Sequence, residues 1–301
     1  EQDGRLVALA LASFGRARDS LEFLDLHMPE VAGPEKLAVL APTALTSYQF
    51  SRDGLSVTWL EDSTEKTSYD VIFGTDNAAR LMTLGGPART ILDAKTLKTT
   101  QPRWSDDRRT LAYADQGEVF VKGVDDEKPR SLTPKPAKDP NAPAPAADAE
   151  EAESFAVTSF SRDGSKLLLT SKKGWYVASV ADGARERVLT LDDKNEDKNP
   201  KLTVVDWTPA GDALLVQYGE PDRWDRGLSR LDLRTKTLTG LVRDNGVYQG
   251  FRLSRDGSTV VFQKSDGTRP AEVFAADAAF TNVRKLTDLN PWMSARPLPA
   301  S

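Results

Sequence analysis

The sequence predicts an all-β fold assembled from repeated four-stranded antiparallel units. Three observations predict it. One short phrase recurs five times along the 301 residues. Each copy is followed by the same succession of strand-like runs. Helical periodicity is nearly absent throughout.

The phrase reads "FSRDGLSVTWLE" from Phe50, "WSDDRRTLAYAD" from Trp104, "FSRDGSKLLLTS" from Phe160, "WTPAGDALLVQY" from Trp207 and "LSRDGSTVVFQK" from Leu253. Subtracting successive start positions gives spacings of 54, 56, 47 and 46 residues. An aromatic or aliphatic residue ends one strand, and a polar cluster, usually Ser-x-Asp-Gly, turns the chain. Asp-Gly suits a tight hairpin, because glycine accepts positive φ and the aspartate side chain bonds nearby amides. An apolar or alternating run then forms the next strand.

Each unit continues alike. A further strand follows, "SYDVIFGT" at 68–75, "EVFVKGVD" at 118–125, "WYVASVAD" at 175–182, "LSRLDLRT" at 228–235 and "AEVFAADA" at 271–278. A short run with an apolar-Thr signature closes four of the units: "RSLTPK", "RVLTLD", "KTLTGL" and "RKLTDL".

Units of roughly 50 residues with four strands match the blades of a β-propeller, of the WD40-like or TolB-like kind. One blade cannot bury both faces of its own sheet, so neighbouring blades must bury each other. The expected ring has six to seven blades. Five full units run from about Leu45 to Asn290, and a partial one, from Arg5 to about Pro42, precedes them. That early part carries a degenerate copy of the phrase, "EQDGRLVALALA" from Glu1. Phe50, Trp104, Phe160 and Trp207 are expected to wedge between adjacent sheets. "RLVALALASF", Arg5 to Phe14, reads as a strand and not as a signal peptide, since the charges before it are acidic. The segment 134–154 is rich in Pro, Ala, Asp and Glu without apolar period, and is expected to be a disordered insertion between blades. The expected domain organisation is a propeller over 1–293 and a linker over 294–301.

Composition excludes several function classes. The net charge is -5 with acids and bases interleaved, which argues against nucleic acid as a partner. No run approaches the roughly 18 apolar residues that span a membrane, so no membrane partner is expected. There is no cysteine, hence no disulfide, thiolate metal site or Cys nucleophile. The single histidine, His27, reads as a strand-end residue. No Gly-x-Ser-x-Gly elbow accompanies it, so no catalytic triad is expected in this chain. Neither a Walker A motif nor a dinucleotide fingerprint occurs, and no cofactor and no metal are expected. "DDKNEDKN", Asp192 to Asn199, is dense in oxygen ligands but lacks EF-hand spacing and reads as a solvated loop. "LGGPAR", Leu84 to Arg89, reads as a turn.

The best candidate for binding is the polar-aromatic loop "YGEPDRWDRG", Tyr218 to Gly227. Arg223, Trp224 and Arg226 are the candidate substrate-binding residues there. Arginine forks a carboxylate and tryptophan offers a flat apolar face.

The repeats and the C-terminal stretch together resemble the N-terminal propeller of the prolyl oligopeptidase (S9) family of serine peptidases, the group with acylaminoacyl and dipeptidyl peptidases. "SDGTRPAEVFAADAAFTNVRKLTDLNPWM", Ser265 to Met293, looks like the last blade of such enzymes, with Leu286, Thr287 and Asn290 in the closing phrase. The resemblance implies a partner, an α/β-hydrolase catalytic domain outside this chain, in cis or as a separate fragment. It implies peptides as ligands and a gating role for the propeller. The family's paired glutamates for a substrate amino terminus have no convincing match, because Glu150 and Glu151 fall in the low-complexity insertion. The compartment expected is periplasmic or secreted. A second reading is a stand-alone TolB-like propeller that binds proteins or ligands.

Overall fold

The structure, a computed structural model, describes residues 9–11, 20–25, 35–39, 45–51, 53–62, 77–83, 86–97, 100–135, 153–266 and 269–292. His27, Glu150, Glu151 and most of the 134–154 insertion lie outside them. So does the expected strand 68–75. The chain divides into two compact units, Glu1–Leu169 with Ala178–Ala184, and Thr170–Val177 with Arg185–Ser301.

In the first unit, β1 (Leu9–Leu11), β2 (Ser20–Asp25) and β3 (Glu35–Val39) make a three-stranded sheet, the counterpart of the partial repeat. Next come β4 (Leu45–Phe50), β5 (Ser56–Asp62), β6 (Asn77–Thr83) and β7 (Arg89–Leu92) in one antiparallel meander. The strand paired with β5 is therefore β6, whose sequence "NAARLMT" has weak strand propensity and does not stand out from the pattern. A one-turn helix, α1 (Ala94–Leu97), follows β7, and the Asp93 side chain accepts the Thr96 amide at 2.8 Å. The next sheet is β8 (Arg103–Trp104), β9 (Thr110–Asp115), β10 (Glu118–Gly123) and β11 (Arg130–Ser131).

A further meander, β12 (Ala156–Phe160), β13 (Lys166–Ser171), β14 (Gly174–Ser179) and β15 (Arg185–Thr190), has residues in both units. The second unit holds two more: β16 (Lys201–Trp207), β17 (Ala213–Gly219), β18 (Gly227–Asp232) and β19 (Thr237–Val242); then β20 (Val247–Leu253), β21 (Thr259–Ser265), β22 (Glu272–Asp277) and β23 (Arg284–Lys285). Each sequence repeat is thus one four-stranded antiparallel sheet. No helix among the described residues is long and apolar enough to cross a membrane.

The repeated phrase folds the same way each time. Ser51, Ser105, Ser161 and Ser254 each donate their hydroxyl to the aspartate two residues on, at 2.5–2.6 Å. The same oxygen accepts the amide five residues on, at 2.9–3.0 Å. One hydroxyl therefore closes the turn and caps the next strand. In "WTPAGD" the same work falls to Thr208, which donates to Asp212 at 2.6 Å and accepts from Ala213 at 3.1 Å. Gly54, Gly164 and Gly257 hold φ of 72–74°, where glycine is favoured.

The apolar-Thr signature clips the outer strand. Leu132 and Leu286 donate their amides to the carbonyls of Val119 and Val273, both at 2.8 Å. Thr133 and Thr287 return the bond, accepting the amides of those same valines at 2.8 and 2.9 Å. Both backbone groups of each valine are thereby satisfied although the outer strand is only two residues long.

Apolar side chains fill the space between consecutive sheets within each unit. Leu60, Leu81 and Ile91 meet Leu111 and Tyr113 in the first, with Trp104 packed against them. In the second, Leu215 and Leu228 meet Tyr248, Phe251 and Phe262, with Leu253 alongside. Of the expected wedges, Phe160 and Trp207 are buried; Phe50 and Trp104 are half-buried.

Candidate functional site

The hairpin after β17 does not turn tightly. Seven residues, Glu220 to Arg226, separate it from β18. At the same end of this sheet, Arg243 to Gly246 connect β19 to β20. The two loops are tied together: Arg226 donates its amide to the Gly246 carbonyl at 3.2 Å, and Tyr248 donates to the Arg226 carbonyl at 3.0 Å. This parallel bridge anchors the long loop to the following sheet.

Between the loops lies a cleft of about 140 Å³, lined by Tyr218, Gly219, Glu220, Arg223, Asp225, Gly227 and Arg243. Tyr218 donates its hydroxyl to Glu220 Oε1 at 2.6 Å. The Arg243 guanidinium lies 3.6 Å above the Tyr218 ring, a cation-π contact. Burial, followed by the bond to Glu220, pushes the Tyr218 pKa up, so the phenol stays protonated. Arg223 donates to Asp225 Oδ1 at 2.6 Å and to Asn245 Oδ1 at 3.2 Å. The Arg223 bond holds the Asp225 carboxyl below its ordinary range. Next door, burial raises the Asp244 pKa, but bonds from the Tyr248 hydroxyl, the Gly246 amide and Lys264 outweigh it and the net shift is downward.

The three loop residues singled out in the sequence take different roles. Arg223 lines the cleft. Trp224 is 58% exposed and stands between two lining residues without lining the cleft itself. Arg226 turns inward and donates to the carbonyls of Arg223 and Asp225 at 3.0 Å each, so it braces its own loop. Sequence reasoning brackets Tyr218 and Glu220 in the candidate loop without singling them out, and misses Arg243. Glycines inside strands are the available signal. A Cβ at Gly219 would come within 2.7 Å of Arg226 Cδ, and one at Gly240 within 3.0 Å of Arg243 Nε. Glycine weakens a strand, so its presence marks a close approach.

A second cavity, of about 490 Å³, opens at the opposite end of the same two sheets. Pro209, Leu215, Leu241, Leu253 and Ala278 make it mainly apolar, with the Arg230–Asp212 pair at 3.3 Å as its charged part. Asp192 to Asn199 is a self-contained loop. Asp192 accepts the amides of Lys194 and Asn195 at 3.0 and 3.1 Å, and Asn199 bonds back to the Asp192 backbone. Among the described residues no group of three or more His, Cys, Asp or Glu is placed to hold a metal ion.

No protein-family model matches the sequence, and no curated protein matches it. Solved structures do. The acylaminoacyl peptidase of Pyrococcus horikoshii superposes with a TM-score of 0.58 at 13% identity, covering 96% of this chain and 44% of that one. An oligogalacturonate lyase in complex with manganese gives 0.59 at 13%, covering 94% and 73%. A TolB from Agrobacterium tumefaciens gives 0.50 at 14%, covering 85% of each chain. The chain spans less than half the length of the peptidase it resembles. Three different proteins on one scaffold establish the fold and leave the chemistry to the site. With its succession of four-stranded antiparallel meanders, this chain has the β-propeller fold.

Proposed function

We propose that this chain is the non-catalytic propeller part of a prolyl-oligopeptidase-like serine peptidase, gating peptide access to an α/β-hydrolase domain encoded beyond it. One observation carries the reading. Across four peptidase neighbours, 94–97% of this chain falls within only 43–47% of theirs. The phrase Leu286, Thr287 and Asn290 supports it from the sequence side. A propeller over the nucleophile restricts entry by chain thickness, so short or extended peptides pass and folded proteins do not. A periplasmic or secreted location belongs to the same proposal.

The test is the reading frame past Ser301, followed by assay. The expected continuation contains a Gly-x-Ser-x-Gly elbow, then Asp, then His. The 301-residue chain alone is expected to hydrolyse no peptide or ester, and the longer protein to cleave short peptides but not folded ones. Turnover by the chain alone, lost on substituting a residue within it, would overturn the proposal.

A second reading, a stand-alone binding propeller, is favoured by the equal 85% coverage of the TolB neighbour and this chain. A stop codon after Ser301 selects it.

A further inference from the structure

We propose that the cleft between the 220–226 and 243–246 loops is a receptor for the terminal carboxylate of a peptide with a small last residue, and that Arg243 binds that carboxylate. The peptide as bearer of the group rests on the proposed function; the carboxylate chemistry rests on the cleft alone.

The three arginines at this site differ in what they have left to give. Arg226 is spent on its own loop's carbonyls. Arg223 is spent on Asp225 and Asn245. Arg243 is exposed, lies over the Tyr218 ring and interacts with its hydroxyl, and makes a long hydrogen bond to Ser229 Oγ at 3.4 Å. A guanidinium carries five N–H donors in a planar fork. Among the described residues no carboxylate pairs with this one, so most of the fork is available to a ligand in the cleft.

The preceding strand makes room for it. A Cβ at Gly240 would lie 3.0 Å from Arg243 Nε, whereas one at Gly227 would meet the Val242 carbonyl at 2.1 Å, so Gly227 serves the strand pairing. β19 thus carries glycine where it weakens the strand, and the space goes to the arginine side chain. Contact with the Tyr218 ring restrains the guanidinium, which reduces the freedom lost when a ligand binds.

The walls choose the anion. Glu220 and Asp225 put negative charge beside the fork, which repels a dianion such as phosphate more than a monoanionic carboxylate. A planar monoanionic carboxylate matches the fork with two parallel bonds. The cleft, at about 140 Å³, holds only a carboxylate and a small side chain. The rest of a peptide leaves toward solvent.

The test is calorimetric titration of the 301-residue chain with N-acetyl-glycyl-alanine, its C-terminal amide, acetate and inorganic phosphate. The acid is expected to bind saturably, and the amide and phosphate at least tenfold more weakly. Arg243→Gln is expected to lose binding at least tenfold, while Arg234→Gln, on a turn at the other end of the sheet, leaves it unchanged. If Arg243→Gln does not fold, the Arg243 Nε–H resonance of the unsubstituted chain is expected to shift on adding the acid. Equal binding of acid and amide, tighter binding of phosphate, or an Arg243 resonance that stays fixed under saturation would overturn the proposal. Each of these outcomes is independent of any hydrolase assay, so failure here and failure of the proposed function are separable.

Discussion

At the scale of single residues, the turn hydroxyl carries more than its size suggests. Ser161 is 1% exposed. Its oxygen donates to Asp163 at 2.6 Å and accepts the Lys166 amide at 2.9 Å. Ser161→Ala removes both of these bonds from a buried site and is expected to lower stability by about 1–3 kcal/mol, read by urea unfolding. The bonds from Ser161 and Ser165 hold Asp163 at about 2. A depressed carboxyl contributes stability that is complete above its unfolded value and is lost as pH falls through its folded value. The acid limb of this contribution therefore lies between about pH 4 and 2, and Ser161→Ala is expected to flatten it. An unchanged Asp163 titration in the variant, followed by NMR, would contradict this assignment.

Arg108 tests the same turn from another side. It holds φ at 57°, in the position that Gly54, Gly164, Gly211 and Gly257 take in the four other copies. Its guanidinium donates to the Phe50 carbonyl at 3.0 and 2.7 Å and to Ser105 O at 3.1 Å, so it ties its turn to the preceding sheet. Burial lowers its pKa, opposed by Asp106 and Asp107. Arg108→Gly removes the tie but relieves the backbone; Arg108→Ala removes the tie and keeps the strain. Both are expected to destabilise, alanine by about 1 kcal/mol more than glycine. Equal losses would mean that the left-handed backbone carries no strain here.

At the scale of elements, the two-residue outer strands β11 and β23 hold because the Leu-Thr pair serves both backbone groups of one partner residue. Val119 is fully buried and Thr133 nearly so, at 0% and 4% exposure. Thr133→Val keeps the shape but orphans a buried amide. The expected loss is about 1–3 kcal/mol, with faster hydrogen exchange at Val119 than at its neighbours in β10. Exchange at Val119 no faster than before would show that the hydroxyl is dispensable. This signature, like the serine turn, is legible in the sequence because local chemistry dictates the residue types. β6 is not legible, since "NAARLMT" owes its strand conformation to pairing with β5 rather than to its own preference. The cleft is legible only in part. The 220–226 loop interrupts a repeat and can be noticed, whereas Arg243 sits 17 residues beyond Arg226 and reaches the site only through the fold.

At the scale of the whole molecule, repetition announces architecture and conceals chemistry, because every copy of the phrase is consumed by a turn and a packing interface. The energetics follow from that use. Stability resides in apolar packing: Phe262 lies 4.8–5.8 Å from the rings of Tyr248, Phe251, Phe274 and Phe280 in its own repeat, and shares a buried cluster with Leu215 and Leu228 of the preceding sheet. Charges contribute little, since pairs such as Arg89–Asp125, Lys172–Glu196 and Lys236–Glu186 lie in solvent with side chains 46–84% exposed. Salt weakens such pairs and also screens the repulsion of a net charge of -5, two small effects of opposite sign. Raising sodium chloride tenfold from low ionic strength is therefore expected to change the free energy of urea unfolding by less than about 1 kcal/mol. Phe262→Ala, by contrast, is expected to lower it by about 3–5 kcal/mol. A salt effect larger than that of Phe262→Ala would mean that the sheets are held by charge, and the packing account of the propeller would be wrong.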